Sequence, residues 1–407
     1  MGLIDRVLSW GRKMTTHDLF REIYGGRVSL AGKSINAKTA LEVSTVMSCV
    51  RAIGEGIAQV PLKLMLESPD GRSRLPAKDH PLYRVLAIRP NAWQTSFEFR
   101  ESLAWQVVLT GNFFAFKNVV FGKLKELIPF ESGSVKVLRA DDLTLSYEVT
   151  APNGSKKIFP ADVIWHVRGP SWNTWMGLEA VQLAREAIGL ALATEEQHAR
   201  MHQNGVQNSG VYSVEGTLSK EQHKALADWV DREMAGSQNA GKPMILDRAA
   251  KWISTSMTGV DAQHLETRKH QIEEICRFFR VMPIMVGYSD KAATYASAEQ
   301  MFLAHVVHTL SPWYQRLEQS IDANLLTEKD RAAGYYANFV EEGLLRGSIE
   351  TTANMLDKYV NGGLMTPNEG RAKLDMNPDP DPASDKLRIP ANIVGKLPAE
   401  QGAGNDE

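Results

Sequence analysis

Residues 265–287, LETRKHQIEEICRFFRVMPIMVG, join a long helix to an abrupt break, and this stretch decides how the chain is organised. Apolar residues recur at helical spacing and predict a helix over 261–280. Its apolar stripe consists of Leu265, Ile272, Cys276 and Phe279. Arg277 and Arg280 lie on or beside the polar side. Because Pro283 lacks a backbone N–H, the helix ends before it, and 289–297 is predicted to be a loop.

A second long helix is predicted upstream, over about 178–203. Between the two helices the pattern favours a compact β-α-β-β insertion. Its predicted elements are a strand at 210–214, a helix at 218–235, and strands at 243–247 and 251–257. Two long helices that flank a small insertion indicate an antiparallel stalk that carries a tip.

The rest of the chain alternates helices with groups of strands, which indicates an α+β fold. Upstream of the stalk, helices are predicted at 41–60, 81–87 and 95–110, and strands at 62–66, 113–121, 134–139, 145–149 and 163–167. Asn153-Gly154 predicts a hairpin turn after the fourth of these strands. Downstream, helices are predicted at 297–325, with a kink before Pro312, and at 348–360. Thr366 and Glu369 form a capping-box pattern for a last helix.

Composition limits the kind of protein this chain can be. Its 407 residues are 43% hydrophobic and carry 46 basic against 48 acidic side chains, for a net charge of −2. This balance argues against a protein whose whole surface grips nucleic acid. The two cysteines, Cys49 and Cys276, give neither a disulfide framework nor zinc-ligand spacing, and we expect the chain to be made in a reducing compartment. Without an apolar run of 18 residues, no membrane span is expected.

Catalytic signatures are weak throughout the sequence. The segment from Gly26 to Ser34, which includes Lys33, resembles a phosphate loop but has one residue too many between its glycines. His198 and His202 are one helical turn apart, and Glu195 with His198 forms one Glu-x-x-His motif, but a di-metal site needs two such motifs and further glutamates. His305 and His308 form a second helical pair, and no Glu lies three residues before either. His166 follows Trp165 in a predicted strand, where a packed side chain is expected rather than a catalytic one. We therefore expect no catalytic residues, no metal and no cofactor.

Six stretches, taken in order, resemble one known family. They are VMSCVRAIGEGIAQVPLKLM (46–65), HPLYRVLAIRPNAWQTSFEFRESLAWQVVLTGNFFAF (80–116), LETRKHQIEEICRFFRVMPIMVG (265–287), TYASAEQ (294–300), LSPWYQRLE (310–318) and GGLMTPNEGRAKLDMNP (362–378). Together they are similar to the portal proteins of tailed bacteriophages of the Hong Kong 97 type, over about 40–380. One departure is that Val281-Met282-Pro283 interrupts the family's usual Val-Pro pair with its second proline, so the following loop is expected to take a slightly different path.

The resemblance implies a dodecameric ring at one capsid vertex, through which double-stranded DNA is packaged and ejected without sequence specificity. It implies assembly in the host cytoplasm and a final place in the virion. The implied partners are the terminase large subunit, a head-tail adaptor, and the major capsid and scaffold proteins, with no membrane and no enzymatic activity. The implied domains are an N-terminal arm (1–40), a wing (41–180), a stem helix (181–208), a clip (209–258), a second stem helix (259–281), a tunnel loop (282–297), a kinked helix with the rest of the wing (298–345), a helical crown (346–382) and a flexible tail (383–407).

The same resemblance implies where DNA would pass. The tunnel-loop residues expected in the channel are Gly287, Tyr288, Asp290, Lys291, Thr294 and Tyr295. On the stem, Arg277 and Arg280 are expected to face either DNA or an acidic group of a neighbouring subunit. Two alternatives stay open at this point: a metal-dependent hydrolase that uses His198 and His202, and a capsid-associated scaffold protein that forms no ring.

Overall fold

The computed structural model describes residues 27–69, 73–204, 210–213, 219–233, 251–254, 260–288, 295–341, 349–374 and 376–388. The chain divides into two compact units, Met1–Phe339 and Val340–Glu407. The helices are α1 (Ala37–Ala40), α2 (Ser44–Gln59), α3 (Pro81–Ala87), α4 (Ser96–Thr110), α5 (Ala180–Leu183), α6 (Arg185–Asn204), α7 (Lys220–Glu233), α8 (Val260–Phe279), α9 (Tyr295–His305), α10 (Ser311–Asn324), α11 (Glu328–Ala332), α12 (Ile349–Asn361) and α13 (Pro367–Lys373). Among the described residues, none of these helices combines the length and the apolar character that a membrane span requires.

The strands form small sheets that are antiparallel at every pairing. The strands are β1 (Arg27–Val28), β2 (Ser34–Ile35), β3 (Leu62–Glu67), β4 (Arg74–Pro76), β5 (Asn112–Val120), β6 (Lys123–Pro129), β7 (Val135–Arg139), β8 (Leu145–Thr150), β9 (Lys156–Pro160), β10 (Ile164–Arg168), β11 (Gly210–Ser213), β12 (Lys251–Ser254) and β13 (Tyr335–Phe339). Three-stranded sheets have the orders β10-β5-β6, β13-β3-β4 and β7-β8-β9, and β1-β2 and β11-β12 are two-stranded. The predicted hairpin turn at Gly154 joins β8 to β9. The α+β class is therefore confirmed.

Helix α2 lies at the centre of the first unit's core. Its buried face includes Val46, Val50, Ile53 and Ile57, and it packs against α4 and α8. Arg100 of α4 is buried as well, and its guanidinium donates to the Ala58 carbonyl in the last turn of α2 (2.6 Å). Because the last carbonyls of a helix have no partner within the helix, this side chain satisfies one of them. Burial lowers the pKa of Arg100 to about 10.

An aromatic cluster joins α4 to the β10-β5-β6 sheet. The rings of Phe99 and Phe113 meet edge to face at 5.6 Å, and Phe113 meets Trp165 at 6.1 Å. The indole N–H of Trp165 donates to Ser320 of α10 (3.0 Å). Buried aromatic side chains contribute large apolar areas, so this cluster ties the neighbouring elements α4 and β5 to β10 and α10, which are distant in sequence.

The segment that resembles a phosphate loop folds as a β-hairpin on α6. Lys33 forms an ion pair with Glu196 of α6. The hairpin's Ser29 is buried at Gly189, where an added Cβ would come within 2.2 Å of the serine oxygen. Residues 27–40 of the expected N-terminal arm are thus packed on α6, while 1–26 lie outside the described residues.

The predicted break before Pro312 takes the form of a π-helical turn. Helix α9 continues into this turn at Val306–Leu310, and α10 starts directly after it, with Pro312 in its first turn. Proline there leaves a carbonyl one turn earlier without its usual donor, and the wider turn accommodates the loss. Within the turn, Thr309 donates its hydroxyl to the Arg280 carbonyl (2.5 Å), which links it to the end of α8.

The second unit contains two helices and an ordered segment after them. The capping box at α13 is confirmed, because Thr366 and Glu369 each accept from the other's backbone N–H. The buried Asn368 donates to Asp385 (2.6 Å) and accepts from the Asp379 backbone N–H (2.7 Å). Residues 383–388, which we expected to begin a flexible tail, are therefore held in a 3-10 turn and its continuation. Residues 389–407 lie outside the described residues.

Candidate nucleic-acid interface

The two long helices predicted at about 178–203 and 261–280 are present as the packed pair α6 and α8. Ile188 of α6 and Ile275 of α8 are buried, and Gln271 of α8 donates to the Thr194 hydroxyl of α6 (3.3 Å). Gln271 is only 6% exposed, which the apolar stripe did not predict. Of that stripe, Cys276 and Phe279 are buried and Ile272 is half-buried, while the Leu265 side chain lies outside the described residues. The pair is thus held by apolar contacts with one buried amide–hydroxyl bond between the helices.

Between these helices lie the described parts of the tip. Strands β11 and β12 pair antiparallel with Gly210 opposite Ser254, and α7 lies between them in the chain. Ser219 caps α7 by accepting from the Gln222 backbone N–H, as its place in the sequence suggested. The strand predicted at 243–247 lies outside the described residues. The described elements therefore agree with the order strand, helix, strand of the predicted insertion.

Arg280 ends α8 in a conformation that normally belongs to glycine. Its φ is +56°, its N–H donates to the Arg277 carbonyl (3.1 Å), and the next N–H, of Val281, donates to the Cys276 carbonyl (2.9 Å). These two bonds define a Schellman motif with arginine at the left-handed position. For a residue with a Cβ this conformation costs about 1–2 kcal/mol.

The stem arginines extend away from the core. Arg277 and Arg280 are both exposed. Among the described residues of this chain, no carboxylate pairs with either guanidinium. Both side chains are therefore cations at the surface of the described part of the chain.

The start of the predicted tunnel loop is a short turn on the core. Pro283–Val286 form a 3-10 turn that packs against α2, and its side chains are half-buried. Gly287 ends the turn with φ +77° and open space around its Cα, and Tyr288 donates its N–H back to the Pro283 carbonyl (3.0 Å). Asp290, Lys291 and Thr294 lie outside the described residues.

The predicted end of that loop needs correction. We expected a loop over 289–297 and a helix from 297, but α9 begins at Tyr295. The alanine-rich segment 292–298, AATYASA, has no apolar periodicity, and this pattern favours a loop. Alanine nevertheless has the highest helix propensity, and this preference decides the boundary. Tyr295 is thus in the first turn of a helix, and its side chain lies outside the described residues.

The histidines do not assemble into a metal centre in the described part of the chain. No group of three metal-ligating side chains occurs there. His198 is half-buried on α6, and the side chain of His202 lies outside the described residues. His305 is buried, and burial lowers its pKa, whereas His308 is exposed.

His166 is packed and hydrogen-bonded, as its place in the sequence predicted. Asn112 Oδ1 already accepts from the Gly177 N–H (2.8 Å), so it faces His166 Nε2 (3.0 Å) as an acceptor. Nε2 therefore carries the proton, and Nδ1 accepts from the Tyr147 hydroxyl (3.2 Å). Burial, with a smaller contribution from Arg168, lowers the pKa of His166 to about 3. The imidazole is neutral at physiological pH and holds the β8 and β10 sheets together.

One contact between functional groups was missed entirely. Cys49 and Cys276 are 227 positions apart, yet their sulfur atoms lie 3.8 Å from each other. The signal was present in part, because each cysteine falls on the apolar face of its helix. Sequence spacing alone does not say which apolar faces meet.

Comparison with known proteins gives a consistent picture. Residues 44–375 match the family described as Phage portal protein. The chain is 29% identical over 355 residues to the portal protein of Enterobacteria phage HK97, and the match covers 86% of this chain and 82% of that protein. Its fold is similar to a solved structure of the neck of a native gene transfer agent particle, computed with C12 symmetry (TM-score 0.53, 24% identity, 91% of this chain and 95% of that one). It is also similar to the crystal structure of an HK97-family phage portal protein from Corynebacterium diphtheriae (TM-score 0.54, 16% identity, 75% and 95%).

Proposed function

The chain belongs to the phage portal protein family, and we propose from this premise that twelve copies close into a ring at one vertex of a tailed-phage capsid. Double-stranded DNA passes through the ring during packaging and ejection. The single observation that carries the proposal is that the family match, residues 44–375, takes in both stem helices and the tip between them.

The proposed ring is a heterologous assembly, in which one face of a subunit contacts a different face of the next. The number twelve comes from the symmetry with which the neck of the similar gene transfer agent particle was computed. Major capsid and scaffold proteins would surround the ring during assembly in the host cytoplasm, and the finished ring would be a component of the virion.

Light scattering coupled to size-exclusion chromatography tests the ring. The purified full-length chain should elute as a species of about twelve times the 45.2 kDa chain mass. A species that remains a monomer or dimer at all protein concentrations would contradict the proposal and favour a scaffold protein without a ring.

We assign residues 209–258 to the docking of the terminase large subunit and, later, of the head-tail adaptor. The support is the position of this segment in the chain, between the packed helices α6 and α8. A variant in which 212–255 is replaced by a short linker should keep the number of subunits in the ring and the thermal unfolding of the rest but lose terminase binding in a pull-down. Terminase binding at wild-type strength by that folded ring would refute the assignment.

Residues 282–297 are proposed to line the narrowest part of the channel, with Arg277 and Arg280 facing DNA from the stem. Lys291 gives each subunit one cation in that segment, hence a circle of positive charge in a ring. Such contacts reach phosphates and carry no base readout. With a net charge of −2 per chain, they would hold DNA weakly enough for it to move.

We propose no catalytic role for the chain, so the energy for packaging comes from the motor. The ion pair between Lys33 and Glu196 supports this, because a phosphate-binding lysine must be available to the nucleotide. ATP hydrolysis by the purified protein that is lost in Lys33→Ala and kept in Lys38→Ala would contradict the proposal.

A further inference from the structure

Cys49 and Cys276 are the only cysteines of the chain, and the fold brings them together. Cys49 lies in the middle of α2 and Cys276 in the last turn of α8, on the faces where these two helices pack. Both residues are fully buried, and both are free thiols with their sulfur atoms 3.8 Å apart. In a chain of this length, two randomly placed cysteines would rarely meet.

The geometry requires little movement for a covalent bond. Disulfide sulfur atoms lie about 2.0 Å apart, so the two sulfurs must approach by about 2 Å. Rotation about the Cα–Cβ bonds and a small slide of α8 along α2 supply displacements of this size. Packed helices shift by about 1–2 Å in many proteins without loss of fold.

The hydrogen bond between the thiols makes them chemically unequal. Cys49 donates its S–H to the Cys276 sulfur. The pKa of Cys49 is raised mainly by this hydrogen bond and, to a smaller extent, by burial. The same hydrogen bond lowers the pKa of Cys276. Since the thiolate is the nucleophile in disulfide exchange, Cys276 is the thiol that reacts first.

A cavity lies close to this pair, although neither cysteine is among its lining residues. A space of about 420 Å³ lies between the start of α2, α6 and α8, and its walls include Thr45, Ile272 and Ile275. Thr45 is one helical turn before Cys49, and Ile272 is one turn before Cys276. The cavity wall is thus one helical turn from each cysteine along α2 and α8, and local opening of the packed helices would bring a small oxidant to the buried sulfurs.

We propose that Cys49 and Cys276 form a reversible disulfide that fastens α2 to α8 once the chain leaves a reducing compartment. The Cys276 thiolate attacks one sulfur of a low-molecular-weight organic disulfide, which forms a mixed disulfide and expels one small thiol. The Cys49 thiolate then attacks the Cys276 sulfur and expels the second small thiol. The protein loses two thiol protons and two electrons, and the reagent, reduced to two thiols, takes up both.

The consequence is a covalent tie between the stem and the helix at the centre of the core. The bond closes a loop of 227 residues, and disulfides that close long loops restrict the unfolded chain most. The reduced chain would keep the freedom of α8 during assembly, and the oxidised chain would lose it. This proposal does not depend on ring formation or on DNA.

The test is oxidation of the purified full-length protein with 2-hydroxyethyl disulfide, followed by denaturation and alkylation without reductant. We expect intact mass to show no alkyl group, and peptide mapping to show Cys49 joined to Cys276 within one chain. Dithiothreitol should restore both thiols. The oxidised protein should unfold at a higher temperature than the reduced one, whereas Cys49→Ser and Cys276→Ser, which each keep one thiol, should show no such shift.

A parallel sample is oxidised a few degrees below its unfolding temperature, where local opening admits the reagent, so a kinetic block cannot mimic a negative result. Alkylation of both cysteines in that sample would overturn the proposal. A bond that joins Cys49 or Cys276 to a second chain, or a mixed disulfide that persists on Cys276, would overturn it as well.

Discussion

At the scale of single residues, Arg280 shows a conflict between local conformation and side-chain choice. Its left-handed φ of +56° is the position where glycine ends most Schellman motifs. The chain instead has an exposed guanidinium there, at the end of the proposed stem. Strain kept at one residue is a reason to suspect function, and here the retained group is a cation at a surface proposed to face DNA.

Arg280→Gly should therefore stabilise the fold, by about 0.5–1 kcal/mol, because glycine adopts the conformation freely but also gains freedom in the unfolded chain. Chemical denaturation at fixed protein concentration measures the change. The matched control, Arg277→Gly, lies within α8 and should destabilise by about 1 kcal/mol. Equal effects of the two glycines would contradict the assigned strain. If Arg280 also contacts phosphate, the more stable variant should package DNA less well.

His166 makes stability depend on pH in a defined window. The unfolded chain binds a proton at this histidine near pH 6.5, while burial lowers the pKa in the folded chain to about 3. Between these values the unfolded state holds the extra proton, so stability falls as the pH falls, by up to about 1.4 kcal/mol per pH unit. Above the unfolded pKa this contribution is fully present.

Denaturation curves recorded from pH 7 to pH 4 should show this dependence of the unfolding free energy on pH. His166→Gln should lower stability at neutral pH, and it should reduce the slope by the contribution of about one proton. Carboxylates titrate alike in both proteins, so the difference between the two slopes isolates His166. Parallel slopes would mean that the folded chain protonates this imidazole readily.

Residues buried against expectation explain part of what sequence reasoning could not reach. Arg100 would be assigned to the surface by its charge, yet it satisfies the carbonyl end of α2. Cys276 is correctly placed on an apolar stripe, but its contact with Cys49 depends on which helices pack. Both features are set by tertiary contacts, and a single sequence contains no direct signal for the partner.

At the scale of secondary-structure elements, one backbone crossing controls how α4, β5 and the segment before α5 fit together. Gly111 ends α4 with φ +77°, and its carbonyl accepts from the Gly169 N–H (2.8 Å). Gly177 passes so close that a Cβ placed there would lie 1.8 Å from the Gly111 oxygen. Only glycine, which has no Cβ, allows the two backbone segments to approach to that distance.

Gly177→Ala should destabilise the first unit by about 2–4 kcal/mol, because backbone rather than a movable side chain blocks the methyl group. Thermal or chemical unfolding measures this loss. Gly287→Ala is the control: it has a positive φ but open space, so it should cost only about 1 kcal/mol. A Gly177→Ala variant no less stable than Gly287→Ala would show that the crossing is looser than the structure indicates.

Element boundaries were predictable where local chemistry marks them. The strand at Leu62–Glu67 follows Pro61, α3 starts at Pro81, and α4 ends at Gly111. Strand β6, Lys123–Pro129, was not predicted, because its alternating lysines and leucines lie after a turn at Phe121 and Gly122 that has no strong turn signature. It is held by pairing with β5, which is information from the partner strand.

At the scale of the whole molecule, the proposed channel needs a surface that contacts DNA weakly enough for the DNA to move. The net charge of the chain is close to zero, which argues against a broad DNA-binding face. Contacts with DNA phosphates are therefore expected from a small number of basic side chains. Within 282–297, Lys291 is the single such group in the sequence. A charge that is small for one chain becomes substantial when a ring repeats it.

Lys291→Glu should leave ring mass unchanged but lower the number of DNA-filled particles, because a circle of cations becomes a circle of anions. Counting filled and empty particles after complementation measures the effect. Lys123→Glu makes the same charge change at the exposed turn between β5 and β6 and should package normally. Filled, stable particles with Lys291→Glu would remove Lys291 from the proposed channel.

We propose that this chain forms a ring in which α6, α8 and residues 282–297 surround a passage for double-stranded DNA. The most direct measurement is a cryo-electron microscopy reconstruction of the purified full-length assembly. We expect a closed ring with an axial opening wide enough for duplex DNA and with residues 282–297 nearest the axis. A reconstruction without an axial opening, or with 282–297 on the outer rim, would contradict it.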